Sequence, residues 1–141
     1  MNISEIMNPE IEMISADTTL KEAAAKMERE NIGFLVVGSE KELNGTLTDR
    51  DIVLRAVSKG KDMQTTTVGD ILSKQVLCCE NSQSVEEVAR HMCDEQVRRM
   101  PVINSDKQLL GVVSIGDLAQ HLKPELVGEV LKGVTEERHA A

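Results

Sequence analysis

Two segments of this chain set a hydroxyl and a carboxylate three residues apart, shortly after a glycine. They are Gly45-Thr46-Leu47-Thr48-Asp49-Arg50-Asp51 and Gly111-Val112-Val113-Ser114-Ile115-Gly116-Asp117. Thr or Ser followed by Asp at this spacing fits a helix N-cap with an acidic third position. The same arrangement can also recognise a ligand. A strand running into a helix leaves backbone N–H groups and the positive dipole end facing open space. A hydroxyl there can bond ribose or phosphate, and a carboxylate one turn on can accept both hydroxyls of a ribose diol. A capped helix end is a preorganised site, so capping and binding are compatible. One copy argues mainly for a cap. Two copies, each behind an apolar strand, argue for a ligand.

Other chemistry finds little support. Cys78 and Cys79 are adjacent and Cys93 stands apart, with no CxxC spacing. That is neither a disulfide framework nor a zinc motif, and free cysteines usually serve as small buried hydrophobes. A thiol or metal site from Cys78, Cys79, His91 and Cys93 is the competing reading, but His91 and Cys93 are two apart and share no helix face. His91, His121 and His139 follow no triad logic. Nucleophile elbow, Walker lysine loop and HExxH are all absent. The expectation is no enzyme, no metal and no required cofactor.

Composition narrows the class further. The 141 residues are 40% apolar and 28% charged, typical of a globular chain. Net charge is −8, against the cationic balance of a nonspecific nucleic-acid binder. One Phe, with no Tyr or Trp, leaves no base-stacking platform. No apolar run approaches the roughly 20 residues of a membrane span, and Met1-Asn2-Ile3-Ser4-Glu5 lacks a basic leader. A cytoplasmic protein is expected, with no nucleic-acid or membrane partner.

The elements that position these residues come as a repeat. Ile6-Met7 answers Ile71-Leu72 at an offset of 65, and Leu20 to Ala24 answers Val85 to Ala89. After one inserted residue the offset is 66, and Gly45, Thr48 and Asp51 answer Gly111, Ser114 and Asp117. Thr19-x-x-Glu22 and Ser84-x-x-Glu87 are capping boxes. They open helices with apolar faces Leu20, Ala23, Ala24, Met27 and Val85, Val88, Ala89, Met92. Short strands follow at Phe34 to Val37 and Met100 to Ile103, then at Gly45 to Thr48 and Leu109 to Ser114. Helices carrying Ile52, Val53, Ala56, Val57 and Leu118, Ala119, Leu122 close each copy. The divisions are a first repeat over 1–60, a linker over 61–70, a second repeat over 71–123 and a helical tail over 124–141. The tail's apolar face, Leu126, Val127, Val130 and Leu131, needs a partner. Repeats of about 60 residues are marginal alone, so the copies are expected to share a core across a pseudo-two-fold.

The motifs resemble a tandem pair of CBS (cystathionine β-synthase) domains, a Bateman module, here free-standing, over about residues 3 to 123. Val97-Arg98-Arg99-Met100-Pro101-Val102-Ile103, then Leu109 to Ser114 and Asp117, match the family's second-half pattern; Gly45 to Asp51 matches in the first. The first copy departs where Val36 replaces Pro and Gly33-Phe34 replaces Arg98-Arg99. The resemblance implies an α+β (α/β) fold of two β-α-β-β-α units with clefts for an adenosine-type ligand: AMP, ADP, ATP, NAD or S-adenosylmethionine. Asp51 and Asp117 would hold ribose hydroxyls, and Thr48 and Ser114 ribose or phosphate. Ile11, Met13, Val76 and Cys78 would sandwich adenine with Met100 and Pro101. Arg50, Arg98 and Arg99 would meet phosphate. The missing arginine pair predicts unequal sites, the second taking the more highly charged ligand.

The expected function is a non-catalytic ligand sensor that signals by conformational change to a separate regulated protein, and a homodimer. The alternative is a dimeric scaffold without ligand.

Overall fold

The computed structural model describes residues 1–39 and 41–136, so His139 and the end of the expected tail lie outside the described residues. The fold is α+β. Its elements are β1 (Met13–Ile14), α1 (Leu20–Glu30), β2 (Phe34–Ser39), β3 (Glu42–Thr48), α2 (Asp49–Arg55) and α3 (Val68–Ile71), then β4 (Cys79–Glu80), α4 (Val85–Glu95), β5 (Arg99–Ile103), β6 (Leu109–Ser114), α5 (Ile115–Ala119) and α6 (Pro124–Thr135). Two three-stranded sheets have the same plan. In each, a short first strand runs parallel to the middle strand, which pairs antiparallel with the third.

The local signals act as the sequence implies. Thr19 Oγ1 accepts from Glu22 N–H at 3.2 Å and Ser84 Oγ from Glu87 N–H at 3.1 Å, starting α1 and α4. Both helices stop in a left-handed residue, Asn31 (φ 53°) and Gln96 (φ 54°), whose N–H groups turn back onto the last helical carbonyls. The apolar faces then bury, although Ala24 faces solvent while Leu20, Ala23 and Met27 do not.

The chain divides into two compact units that do not follow the sequence period: Glu12–Val76, and Met1–Ile11 with Leu77–Ala141. The exchange follows from backbone pairing. The outer edge of β3 is met by Ser73, with Thr46 N–H on Ser73 O at 3.0 Å and Ser73 N–H on Thr46 O at 2.9 Å. The outer edge of β6 is met in the same way by Asn8, which exchanges bonds of 2.8 and 2.9 Å with Val112. Residues 61–70 are accordingly no free tether, because Val68 is fully buried in the first core. Ile3, its counterpart, is fully buried in the second.

Each unit has its own aliphatic core. Leu20, Ala23, Leu35, Val37, Leu47, Ile52 and Val68 belong to one. Val85, Val88, Met92, Met100, Val102, Val113 and Leu118 belong to the other. The tail helix α6 finds its partner within its own unit, against α4 and α5. Its inner face is Leu126, Val130 and Val134. Leu131, expected inside, is half exposed, because one more turn brings Val134 to the contact. Gly133 lets α6 approach α4: a Cβ there would lie 2.9 Å from Cys93 Sγ. Gln96 Nε2 fastens the end of the helix by donating to Gly133 O at 3.3 Å and Glu136 O at 2.7 Å.

Two glycines of α6 therefore predict opposite outcomes. Gly133→Ala should destabilise by about 1–3 kcal/mol through overpacking. Gly128→Ala, with nothing within 4 Å of its Cβ position, should stabilise by about 0.5–1 kcal/mol. Urea midpoints at unchanged slope measure both.

Candidate functional site

The two strand-to-helix turns make the same hydrogen bonds at corresponding residues. Thr48 Oγ1 accepts from Asp51 N–H at 3.1 Å, and Asp51 Oδ2 accepts from Thr48 N–H at 3.0 Å. Ser114 Oγ accepts from Asp117 N–H at 3.1 Å, and Asp117 Oδ2 accepts from Ser114 N–H at 2.8 Å. These are reciprocal capping boxes. Each uses the Oδ2 oxygen and fixes the side chain; Oδ1 of Asp117 is left without an ion pair among the described residues, while Oδ1 of Asp51 lies 3.7 Å from Arg55 Nε. All four residues remain partly exposed.

The pleat decides which other residues share this face. Leu35 and Val37 enter the first core, so Phe34 and Val36 point the other way. Cross-strand register adds Thr48 opposite Phe34, Thr46 opposite Val36 and Met13 opposite Val36. In the second unit, Met100 and Val102 are core residues. Arg99 and Pro101 therefore share the other face with Ser114 and Val112. Cys78 joins them by alternation, since its neighbour Cys79 is in the core. Met100, expected against the adenine, is fully buried in the core on the face opposite Pro101. Ile11 and Val76 precede the first strands and close the segments that pass from one unit to the next. Sequence reasoning missed Phe34, Val36, Thr46 and Val112. Their signal was parity with Pro101 and Thr48.

The charges around the turns differ. Asp49 lies against Gly33, where a Cβ would sit 2.8 Å from its Oδ2. The counterparts of Gly33, Phe34 and Asp49 are Arg98, Arg99 and Ile115. Arg98 and Arg99 are exposed, as is Arg50, whose N–H bonds Asp49 Oδ1 at 2.9 Å. Asp51 has a counter-charge in Arg55, with Nε 3.7 Å from Oδ1. No ion pair reaches Asp117 among the described residues.

The thiols are arranged for packing. Burial, with the neighbouring Cys78 adding to it, pushes Cys79 from the ordinary 9.0 to about 12. Burial raises Cys78 as well. Burial, then Asp94 and Glu129, raise Cys93. Thiolate is the nucleophile and metal ligand, so all three are kept in the less reactive form. Among the described residues no group of three or more His, Cys, Asp or Glu is placed to hold a metal ion. No described helix is long and apolar enough to cross a membrane.

Duplicated sheets, capped turns and spacing define a pair of CBS domains, and residues 3–58 and 68–124 each match the CBS domain family. The chain belongs to that family. It is 32% identical over 135 residues to the CBS domain-containing protein YhcV of Bacillus subtilis, covering 95% of both chains. It is 34% identical over 131 residues to Hypoxic response protein 1 of Mycobacterium tuberculosis, covering 92% of this chain and 91% of that one. A crystal structure of Hypoxic Response Protein I with two coordinated zinc ions superposes with a TM-score of 0.77 at 35% identity, over 86% of this chain and 99% of that one. The CBS domain pair of protein MJ0100, in complex with 5′-methylthioadenosine and S-adenosyl-L-methionine, shares the fold at a TM-score of 0.74 and 21% identity, over 85% of this chain and 94% of that one.

The raised Cys79 thiol carries a pH prediction. The fold favours its neutral form, so this stabilisation is complete below pH 9 and is lost as pH rises toward about 12. Urea midpoints of the wild type should fall across that window more steeply than those of Cys79→Ala. Parallel profiles would count against it.

Proposed function

We propose that this chain is a non-catalytic regulatory module that binds adenosine-type ligands through its two strand-to-helix turns. The observation that carries the reading is the repeated pair of fixed carboxylates, Asp51 and Asp117. Each is anchored through Oδ2 by a capping box, in a turn whose residues are partly exposed. Two vicinal hydroxyls are the chemistry that such a carboxylate accepts. Thr48 and Ser114 serve ribose or phosphate oxygens. Met13, Cys78 and Pro101 offer the apolar surface a purine needs, with Ile11 and Val76 at the segment ends. Arg50, Arg98 and Arg99 serve phosphate. The adenosine compounds bound by the MJ0100 pair support the ligand class. Signalling to a regulated protein requires that the ligand bind one conformer more tightly than another.

The turns then differ in preference. Arg98 and Arg99 give the second two cations for phosphate, while at the first Arg50 is offset by Asp49 and Arg55 is taken up by Asp51. The module works as a homodimer in this reading. Val53, Leu54 and Val57 form an exposed apolar strip on and just after α2, at 54%, 46% and 56% exposure. Their second-repeat counterparts are Ala119, Gln120 and Lys123. A self-complementary contact of the first-repeat strips on two copies is the arrangement that buries them.

Thermal melting with AMP, ATP, NAD or S-adenosylmethionine tests the sensor. Saturation near 100 times Kd stabilises by about 2.7 kcal/mol, a rise of about 5–10 °C. No shift with any of them at millimolar concentration supports the ligand-free scaffold instead. By calorimetry, Asp117→Ala should weaken ATP by about tenfold or more and Asp51→Ala by less. Equal losses would remove the asymmetry. Sedimentation at micromolar concentration should give a dimer that Val53→Glu with Val57→Glu converts to monomer; a monomeric wild type contradicts the assembly.

A further inference from the structure

Arg55 reaches two parts of the first unit at once. It stands one helical turn after Asp51, with Nε 3.7 Å from Asp51 Oδ1. Its Nη1 donates to Ile71 O at 3.0 Å and to Ser73 Oγ at 3.1 Å. Ile71 ends α3, and its carbonyl is among those a helix leaves without an internal partner. Ser73 is the residue that exchanges both backbone bonds with Thr46 on β3. Three residues later the chain leaves this unit, at Val76. One planar guanidinium therefore spans the carboxylate of the turn and the exit segment.

We propose that Arg55 couples the state of Asp51 to residues 71–73, so that a change at the carboxylate is felt where the chain leaves the unit. The physical basis is competition for one rigid fork. An ionised Asp51 draws Nε and sets the plane from which Nη1 meets Ile71 O and Ser73 Oγ. Neutralising that carboxylate, or engaging Oδ1 with ligand hydroxyls, weakens the pull and lets the guanidinium leave the exit segment. The link belongs to the first repeat. The counterpart of Arg55 is His121, exposed and too short to form such a fork, and the counterpart of Ser73 is Asn8. The ligand arm of the inference rests on the function proposed above. The coupling itself does not.

Amide hydrogen exchange of the full chain at Leu72 and Ser73 tests it. Their N–H groups donate to Val68 O and Thr46 O, both at 2.9 Å. The set is wild type, Asp51→Asn, Arg55→Met and the double variant, with Arg55→Gln as a second replacement should Arg55→Met fail to fold. Asn at position 51 still accepts from Thr48 N–H, so the cap persists while the charge goes. Asp51→Asn should raise exchange at both amides about twofold to fivefold in the wild-type background and leave it unchanged when Arg55 is absent. The same increase in both backgrounds overturns the coupling, because a merely structural clamp gives additive effects. Arg55→Lys keeps the charge without the fork and should behave as Arg55→Met; wild-type behaviour overturns the role of the fork. AMP at saturation should raise exchange at the same amides in wild type and not in Arg55→Met. If AMP raises the melting temperature in an Asp51-dependent way yet leaves these amides unmoved, the inference falls and the ligand reading stands. If AMP does not bind, the ligand reading falls and the substitution cycle still decides the coupling.

Discussion

The edge of a third strand is the constraint on which the rest of this structure depends. β3 and β6 each present a row of backbone N–H and C=O groups on the side away from the middle strand, and such groups need partners. Ser73 and Asn8 provide them, each from the segment that runs toward the first strand of the following repeat. This pairing carries the first residues of the chain into the second unit and residues 68–73 into the first. It also explains the glycine of each motif. A side chain at Gly45 would run into Ser73 O and one at Gly111 into Asn8 O, so close approach requires the glycine there.

The turn that follows each of these strands does two things with one set of atoms. The hydroxyl and carboxylate satisfy N–H groups the helix start would otherwise leave open, each cap contributing about 1 kcal/mol. In the same bonds they lose their rotational freedom. A ligand of the proposed kind would not bear the cost of ordering these side chains, which is the advantage of preorganisation. The α2 and α5 helices are short, seven and five residues. Packing supports them through Ile52 and Leu118, since helices of this length do not persist alone. Turn chemistry and core packing are thus one problem: the core holds the helix, and the helix holds the carboxylate.

Much of this was legible in the sequence. The repeat, the Thr19 and Ser84 caps, the strand pairs and the Thr48–Asp51 and Ser114–Asp117 turns follow from local spacing, and local spacing decides local hydrogen bonds. The misses are all nonlocal. Nothing in the period tells which strand edge Ser73 or Asn8 covers, so the units and the repeats divide the chain differently. Met100 and Pro101 are neighbours in sequence, yet alternation sends one to the core and the other away from it. The parity becomes assignable only once Val102 is known to face inward. The tail offered Leu126, Val127, Val130 and Leu131 as one stripe. Contact with α4 selected Val134 over Leu131, because Gly133 allows the close approach there. Arg55 carries no local sequence signal of its contacts. Its partners lie 16 and 18 residues further on, beyond the reach of any helical pattern.

The positions where the copies differ complete the argument. Core pairs keep their character: Leu20 and Val85, Met27 and Met92, Val37 and Val102, Ile52 and Leu118. Burial fixes side-chain type, so these pairs report only on packing. The capping pairs keep their character as well, and a helix start is sufficient reason for it. Retention of Thr48 and Asp51 therefore does not separate a cap from a binding group. The rim is where the two copies part in character. There Gly33 corresponds to Arg98, Phe34 to Arg99, Asp49 to Ile115 and Arg55 to His121. Each exchange alters charge or shape beside an otherwise identical turn. At the first turn Asp49, Arg50 and Arg55 surround Asp51, with Arg55 3.7 Å from its Oδ1. At the second Arg99 lies across the strands from Ser114, and no ion pair reaches Asp117 among the described residues, so two turns with the same bonds carry unlike charge around them.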